Sequence, residues 1–304
     1  MRTSVIDAAG SRIRVIEDGA GDQAVLFVHG VGGWAENWTE TIARVAATGR
    51  RAIAFDLPGF GESTRVKGAR YFDPKAPFYP AVVEGVRQAL GLDRPHLVGH
   101  SLGGGIAAAT AVTHPLAWRS MTLVAPGGFG PDIALFLRLF SLPFLGLTTW
   151  LPRPKAAARA VLRSCFHDVA RIPEHLYVEG ERFDRSYAET LRVMRAVATL
   201  RGVRPALRDA WLARAGEYTG PVLVVWGRED GVVPFAHLQA LHDSYPVAEL
   251  HSIPSAGHLV MSEQPDAFAG ALIPFLDRAE RADPSAPGSG AADSIGRGVA
   301  HQER

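Results

Sequence analysis

The chain reads as a mostly parallel α/β sheet with helices on both faces, interrupted once by a long all-helical insertion. Three observations carry that reading. Short, continuous apolar runs alternate with helical patterns, as strands buried on both faces require. The pentapeptide Gly99-His100-Ser101-Leu102-Gly103 joins one such run directly to a small-residue helix. The strand rhythm stops near Pro131 and resumes only at Val222.

Taken in order, Thr3 to Asp7 and Ile13 to Glu17 alternate in polarity around Ala8-Ala9-Gly10-Ser11, which predicts a β-hairpin. Ala24 to Val28 is the first buried strand, followed by the turn His29-Gly30-Val31-Gly32-Gly33-Trp34, a helix from Glu36 to Ala47 and a strand from Arg51 to Asp56. The turn-rich loop Leu57 to Ser63 and a polar stretch from Thr64 to Pro77 lead to an amphipathic helix, Phe78 to Gly91. The strand before Ser101 comes next, then a helix from Ile106 to Thr113 and a strand from Met121 to Ala125. The insertion carries helical patterns only, at Ile133 to Phe140, Lys155 to Phe166, Pro173 to Phe183, Tyr187 to Leu200 and Ala206 to Ala215. Strands return at Val222 to Trp226 and Ala248 to Ile253, with helices at Phe235 to Ser244 and Pro265 to Ala279. The expected division is a core over 1–130 and 217–280, a cap over 131–216, and a disordered tail over 281–304, which is poor in large apolar residues.

At 304 residues with 47% apolar composition the chain can bury one large core. A net charge of +1 points to no nucleic-acid partner. One cysteine, Cys165, excludes an internal disulfide and fits a cytoplasmic protein. There is no apolar leader at the N-terminus and no membrane-length apolar run. Oligomeric state leaves no trace in the composition.

The chemistry centres on Ser101. A serine lifted on a sharp strand-to-helix turn needs neighbours without side chains two positions away on either side, and Gly99 and Gly103 supply them. A serine nucleophile also needs a base, and the base an acceptor that fixes its tautomer. Asp230 follows one predicted strand and His258 follows the last, so Ser101, Asp230 and His258 all fall at the same edge of the sheet. The backbone N–H groups of Leu102 and Val31 are the expected oxyanion donors, with Gly30 letting its loop approach the substrate. His29 is expected to orient that loop. His100 flanks the serine, either against a leaving group or simply packed. Trp34, Phe129 and Phe136 are expected to form an apolar substrate pocket under the insertion.

A rival reading is visible in Gly30-Val31-Gly32-Gly33-Trp34-Ala35, which follows a strand and fits a dinucleotide-binding pattern with Asp56 ending the next strand. The preceding hairpin and the turn-rich loop opened by Asp56 argue against it. No metal-ligand spacing and no phosphate-binding loop occur, so no metal or cofactor is implied.

Together, His29-Gly30, Asp56 to Ser63, Gly99 to Gly104, Gly227 to Asp230 and Gly257-His258 resemble the α/β-hydrolase superfamily over roughly Val5 to Ala279. The resemblance implies a serine hydrolase with a helical cap and a small-molecule substrate. Within the superfamily, Ala125 to Pro131 and the pieces Phe166-His167-Asp168 and His175-Leu176 are similar to the meta-cleavage-product hydrolases, which cut C–C bonds. By that likeness the nearest candidate for their cap arginine is Arg182. Those enzymes usually carry Asn where His100 stands, Trp where Leu259 stands and a longer glycine loop than Gly30 to Gly33. These departures make hydrolysis of a medium-sized, largely apolar carboxylic ester the first expectation and C–C cleavage of a vinylogous keto acid the alternative, with acyl transfer or perhydrolysis behind them. The cap is also basic, with thirteen Arg or Lys against seven Asp or Glu between Trp150 and Ala215. Those charges fit either recognition of an anion or solvated helix faces.

Overall fold

The computed structural model describes residues 1–72, 77–149, 155–180 and 183–282. Arg182 and the expected tail beyond residue 282 therefore lie outside the described residues, while Arg281, placed at the start of that tail, instead ends a helix. Strands β1 (Arg2–Ala8) and β2 (Ser11–Asp18) form the predicted antiparallel hairpin, turning through Ala9 and Gly10 at φ 48° and 75°, the backbone that matches the twist of paired strands. The chain then runs through β3 (Ala24–Val28), α1 (Thr39–Ala46), β4 (Arg51–Phe55), α2 (Phe78–Ala89), β5 (His96–His100), α3 (Leu102–Thr113) and β6 (Met121–Val124).

After β6 come α4 (Leu135–Phe140), α5 (Lys155–Ser164), α6 (Glu174–Gly180), α7 (Phe183–Val197) and α8 (Pro205–Arg214). The expectation of helices alone is corrected here. A small antiparallel ribbon, β7 (Ala198–Thr199) with β8 (Gly202–Val203), sits between α7 and α8. Strands of two residues are too short to show a period of two, so no sequence pattern marks them. Strand β9 (Val222–Gly227), α9 (Leu238–Ser244), β10 (Glu249–Ile253), α10 (Val260–Glu263) and α11 (Pro265–Arg281) complete the fold. The main sheet has eight strands in the order β1-β2-β4-β3-β5-β6-β9-β10, and every pairing from β4 to β10 is parallel.

Side chains alternate across each strand, so the inner strands bury residues on both faces, whereas the edge strands β1 and β10 are largely exposed. Leu26, Leu97, Leu123 and Val224 face one core with α2 and α3, while Phe27, Val98, Val124 and Val225 face the other with α1 and α11. The second core is organised around Trp38, fully buried with its ring 5.0 Å from Phe27 and 6.3 Å from Phe268. Among the described residues no helix is long and apolar enough to cross a membrane.

Three buried histidines lie on or beside the central strands. His96 and His100 begin and end β5, and His29 follows β3. Burial holds all three below the ordinary imidazole value of 6.5, and His29 falls to about 4.

Two outcomes are expected. Trp38→Ala removes the largest side chain of the second core and costs about 3–5 kcal/mol in denaturant unfolding. The unfolded chain binds protons at these histidines that the folded chain refuses, so stability is lost as the pH falls below about 6.5, with the loss at His29 continuing to about 4. His29 contributes on the order of 3 kcal/mol of that loss. Unfolding midpoints compared at pH 7 and pH 5 in wild type and His29→Gln measure it, with a shallower pH slope expected in the variant.

Candidate active site

The turn between β5 and α3 sets the position of Ser101. Its backbone is held at φ 54° and ψ −119°, a conformation unfavourable for a residue with a side chain. The surroundings over-determine it. The Ser101 N–H donates to the Val124 carbonyl at 2.9 Å, and the Ser101 carbonyl accepts from Gly104, Gly105 and Gly127 at 3.0, 3.2 and 2.8 Å. The two glycines predicted to be obligatory are so. A Cβ on Gly99 would sit 2.2 Å from the Gly103 carbonyl oxygen, and one on Gly103 would sit 2.3 Å from that of Val28. Helix α3 starts at Leu102, four residues earlier than its apolar pattern suggests, because Gly103 to Gly105 take helical backbone to achieve this close approach.

Asp230 and His258 meet as expected. The imidazole Nδ1–H donates to Asp230 Oδ2 at 2.8 Å, which fixes the tautomer and leaves Nε2 as the acceptor. The side chain of Asp230 is fully buried yet saturated: Oδ1 accepts from the Val232 and Val233 amides at 2.8 and 2.9 Å, and Oδ2 accepts from the Trp226 indole at 3.1 Å. Trp226 was not anticipated, though its place at the end of β9, four residues before Asp230, was the available signal. Ser101 and His258 line the same cavity, and no hydrogen bond closes between their side chains.

The loop after β3 is braced from beneath. His29 Nδ1–H donates to the Gly30 carbonyl at 2.7 Å, and its Nε2 accepts the Leu57 N–H at 2.9 Å. Its depressed proton affinity keeps that ring neutral, as this double role needs. Asp56 accepts the Ala35 and Glu62 amides at 2.8 and 2.9 Å and is fully buried. A carboxylate committed in this way cannot bind a ribose, which disposes of the dinucleotide pattern. Gly30 lies against the serine, since a Cβ there would be 3.0 Å from Ser101 Cβ. The amides of Val31 and Leu102 donate to no acceptor among the described residues, and they flank Ser101.

The cavity beside Ser101 holds about 110 Å³ and lies between the sheet edge and helices α4 to α7. Gly30, Val31, Trp34, His100 and Phe136 line it as expected. A smaller apolar space of about 40 Å³ opens on the other side of Ser101, where Leu102, Met194 and Trp211 line it. One expectation is corrected, and one open alternative is narrowed. Phe129 lines neither space: it is 1% exposed and packs 6.3 Å from the Tyr245 ring, inside the core. His100 is not available to a leaving group through Nε2, because that N–H donates to the His258 carbonyl at 3.0 Å while the two rings lie 4.6 Å apart. Cys165 also lines the cavity, but burial and then the charge of Asp230 push its thiol up to about 12, so it stays protonated at neutral pH. No charged side chain lines the larger cavity among the described residues. Several insertion arginines instead meet acidic partners three residues away, Arg171 with Asp168, Arg192 with the buried Glu189 and Arg214 with Glu217.

A model of the alpha/beta hydrolase fold matches residues 23–265. The chain is 31% identical over 284 residues to the 2-hydroxy-6-oxo-6-phenylhexa-2,4-dienoate hydrolase of Burkholderia cepacia, covering 87% of this chain and 91% of that one. It is 28% identical over 269 residues to a 2-hydroxy-6-oxononadienedioate/2-hydroxy-6-oxononatrienedioate hydrolase of Cupriavidus pinatubonensis, covering 87% and 90%. Among solved structures it superposes on the meta-cleavage product hydrolase of Pseudomonas fluorescens IP01 with a TM-score of 0.72 and 25% identity, over 91% of this chain and 98% of that one. The sheet order, the strained serine turn and the matched length agree: this chain belongs to the α/β-hydrolase family and is a hydrolase.

Proposed function

We propose that Ser101, His258 and Asp230 form a catalytic triad that hydrolyses a bond beside a carbonyl group, under a helical cap formed by residues 131–216. The observation that carries this reading is the saturated, buried Asp230 bonded to His258 at 2.8 Å, with Ser101 on a strained turn in the same cavity. Such an arrangement holds charge and tautomer ready before substrate arrives.

In this reading Ser101 rotates to meet His258 Nε2, gives up its proton and adds to the carbonyl carbon. The Val31 and Leu102 amides receive the developing oxyanion. His258 returns the proton to the departing atom, and a water activated by the same imidazole releases the acid from the acyl-serine. The triad itself does not choose between a departing oxygen and a departing carbon. A carbon leaves only where its electron pair is delocalised, as in a vinylogous keto acid.

The similarity to dienoate hydrolases supports C–C cleavage of such a substrate as the reading of this site. This moves C–C cleavage ahead of the ester expected from sequence alone. A neutral carboxylic ester remains a second reading on one observation: the larger cavity is apolar, with no cation among its described lining residues to meet a carboxylate.

Loss of a ring-fission dienol acid and hydrolysis of p-nitrophenyl esters of increasing acyl length, measured side by side, separate the two. Preferential dienol turnover is the expected result, and ester turnover without dienol loss assigns the ester reading. In either assay Ser101→Ala is expected to abolish turnover, and Asp230→Asn to lower kcat by about 10³–10⁴-fold through the wrong imidazole tautomer. Full activity in Ser101→Ala would refute the triad.

A further inference from the structure

Glu263 lies on α10, five residues after His258, and is 3% exposed. It has no cationic partner among the described residues. Its carboxylate instead accepts three backbone N–H groups, from Gly257 at 2.7 Å and His167 at 3.1 Å on Oε2, and from Asp168 at 2.7 Å on Oε1. A buried carboxylate is costly unless its oxygens are hydrogen-bonded, and charge-assisted bonds of this kind are short and directional. The bonds therefore constrain whatever they reach.

They reach two chain segments that are far apart in sequence. Gly257 immediately precedes the imidazole of the triad. His167 and Asp168 belong to the insertion, two and three residues after Cys165 in the cavity wall. The same junction is closed by the Leu259 N–H donating to the Cys165 carbonyl at 3.1 Å. It is packed so tightly that a Cβ on Gly257 would lie 2.7 Å from that carbonyl oxygen and 2.8 Å from the His167 nitrogen. The His258 carbonyl is held by His100. Ser262, beside Glu263, donates to the Asn37 carbonyl at 3.3 Å, and the Asn37 side chain accepts the Trp34 amide of the loop that carries Val31.

We infer that Glu263 is a positioning residue: its carboxylate clamps the backbone that carries His258 to segment 165–168 of the insertion, setting the base over Ser101. The inference rests on the triad reading above. Glu263 makes no hydrogen bond or ion pair with the three triad side chains, so it acts through the Gly257 amide and the junction. The clamp also makes the seat of the insertion and the position of the base one structural unit.

The test is Glu263→Gln in the full chain, with turnover of a p-nitrophenyl ester or a dienol acid normalised to active sites. A p-nitrophenyl phosphonate that reacts once per competent serine supplies the count. Gln offers one acceptor oxygen where three N–H groups converge and turns an amide donor toward them. The expected result is a fall in kcat per active site of about 10-fold or more with KM within about twofold, because a small displacement of the base costs rate rather than binding. An unchanged kcat per active site overturns the clamp, including the case where activity falls only because fewer sites titrate. If the variant does not fold, hydrogen exchange in the wild type decides. Common strong protection of the Gly257, His167 and Asp168 amides supports the clamp, and a Gly257 amide exchanging like an open loop overturns it. Ser101→Ala run alongside keeps the two claims apart: its full activity removes the triad, whereas its inactivity beside an unaffected Glu263→Gln removes only the clamp.

Discussion

The close approach of backbone to backbone around Ser101 is the constraint on which the rest of the site depends. The first turn of α3 lies against the carbonyls that end β3, at a distance only a residue without Cβ allows. That contact fixes where the helix begins, which amide follows the serine and how near the Gly30 loop can come. The strain at Ser101 persists because four backbone hydrogen bonds close on its peptide groups at once. A single turn therefore places the serine hydroxyl, the Leu102 amide and the helix axis together.

The buried carboxylates around this turn follow one electrostatic rule. Asp56, Asp230 and Glu263 are each stabilised chiefly by backbone N–H groups. Arg14 adds a longer contact to Asp56 at 3.4 Å. A carboxylate satisfied by amides holds loops by direction as well as by charge, whereas an ion pair with a flexible cation would tolerate movement. Asp56 braces the loop that carries Val31, Asp230 holds the His258 ring, and Glu263 holds the Gly257 amide together with those of His167 and Asp168. The neutral histidines serve the same end, with His29 and His100 each tying one loop carbonyl in place. Acid that charges these rings attacks the scaffold of the site together with its chemistry.

The cavity explains why family membership and substrate class separate. Its floor is built by the serine turn, the β3 loop and the histidine loop. Its roof comes from α4 to α7, where Phe136, Leu162, Leu176 and Thr190 reach inward. Exchanging roof residues alters size and polarity without touching Ser101, Asp230 or His258, so one fold can serve different substrates.

The sequence by itself determined the strands buried on both faces, the hairpin, the place of the insertion and the three residues of the proposed triad. Each of these is recorded locally, as an apolar run, a turn residue or a glycine spacing whose physical demand can be read one position at a time. Tertiary structure alone decided the remainder. Phe129 looks like a pocket residue beside β6 but turns into the core, because its neighbour in space is Tyr245, far along the chain. Glu263 and the commitment of His100 to the His258 carbonyl were likewise invisible, since each depends on a partner segment brought alongside by the sheet order, whereas Trp226 left only the signal of its place four residues before Asp230. The β7–β8 ribbon left no signal because two residues cannot display a period. Local pattern fixes what a segment is, and only packing fixes what its side chains meet.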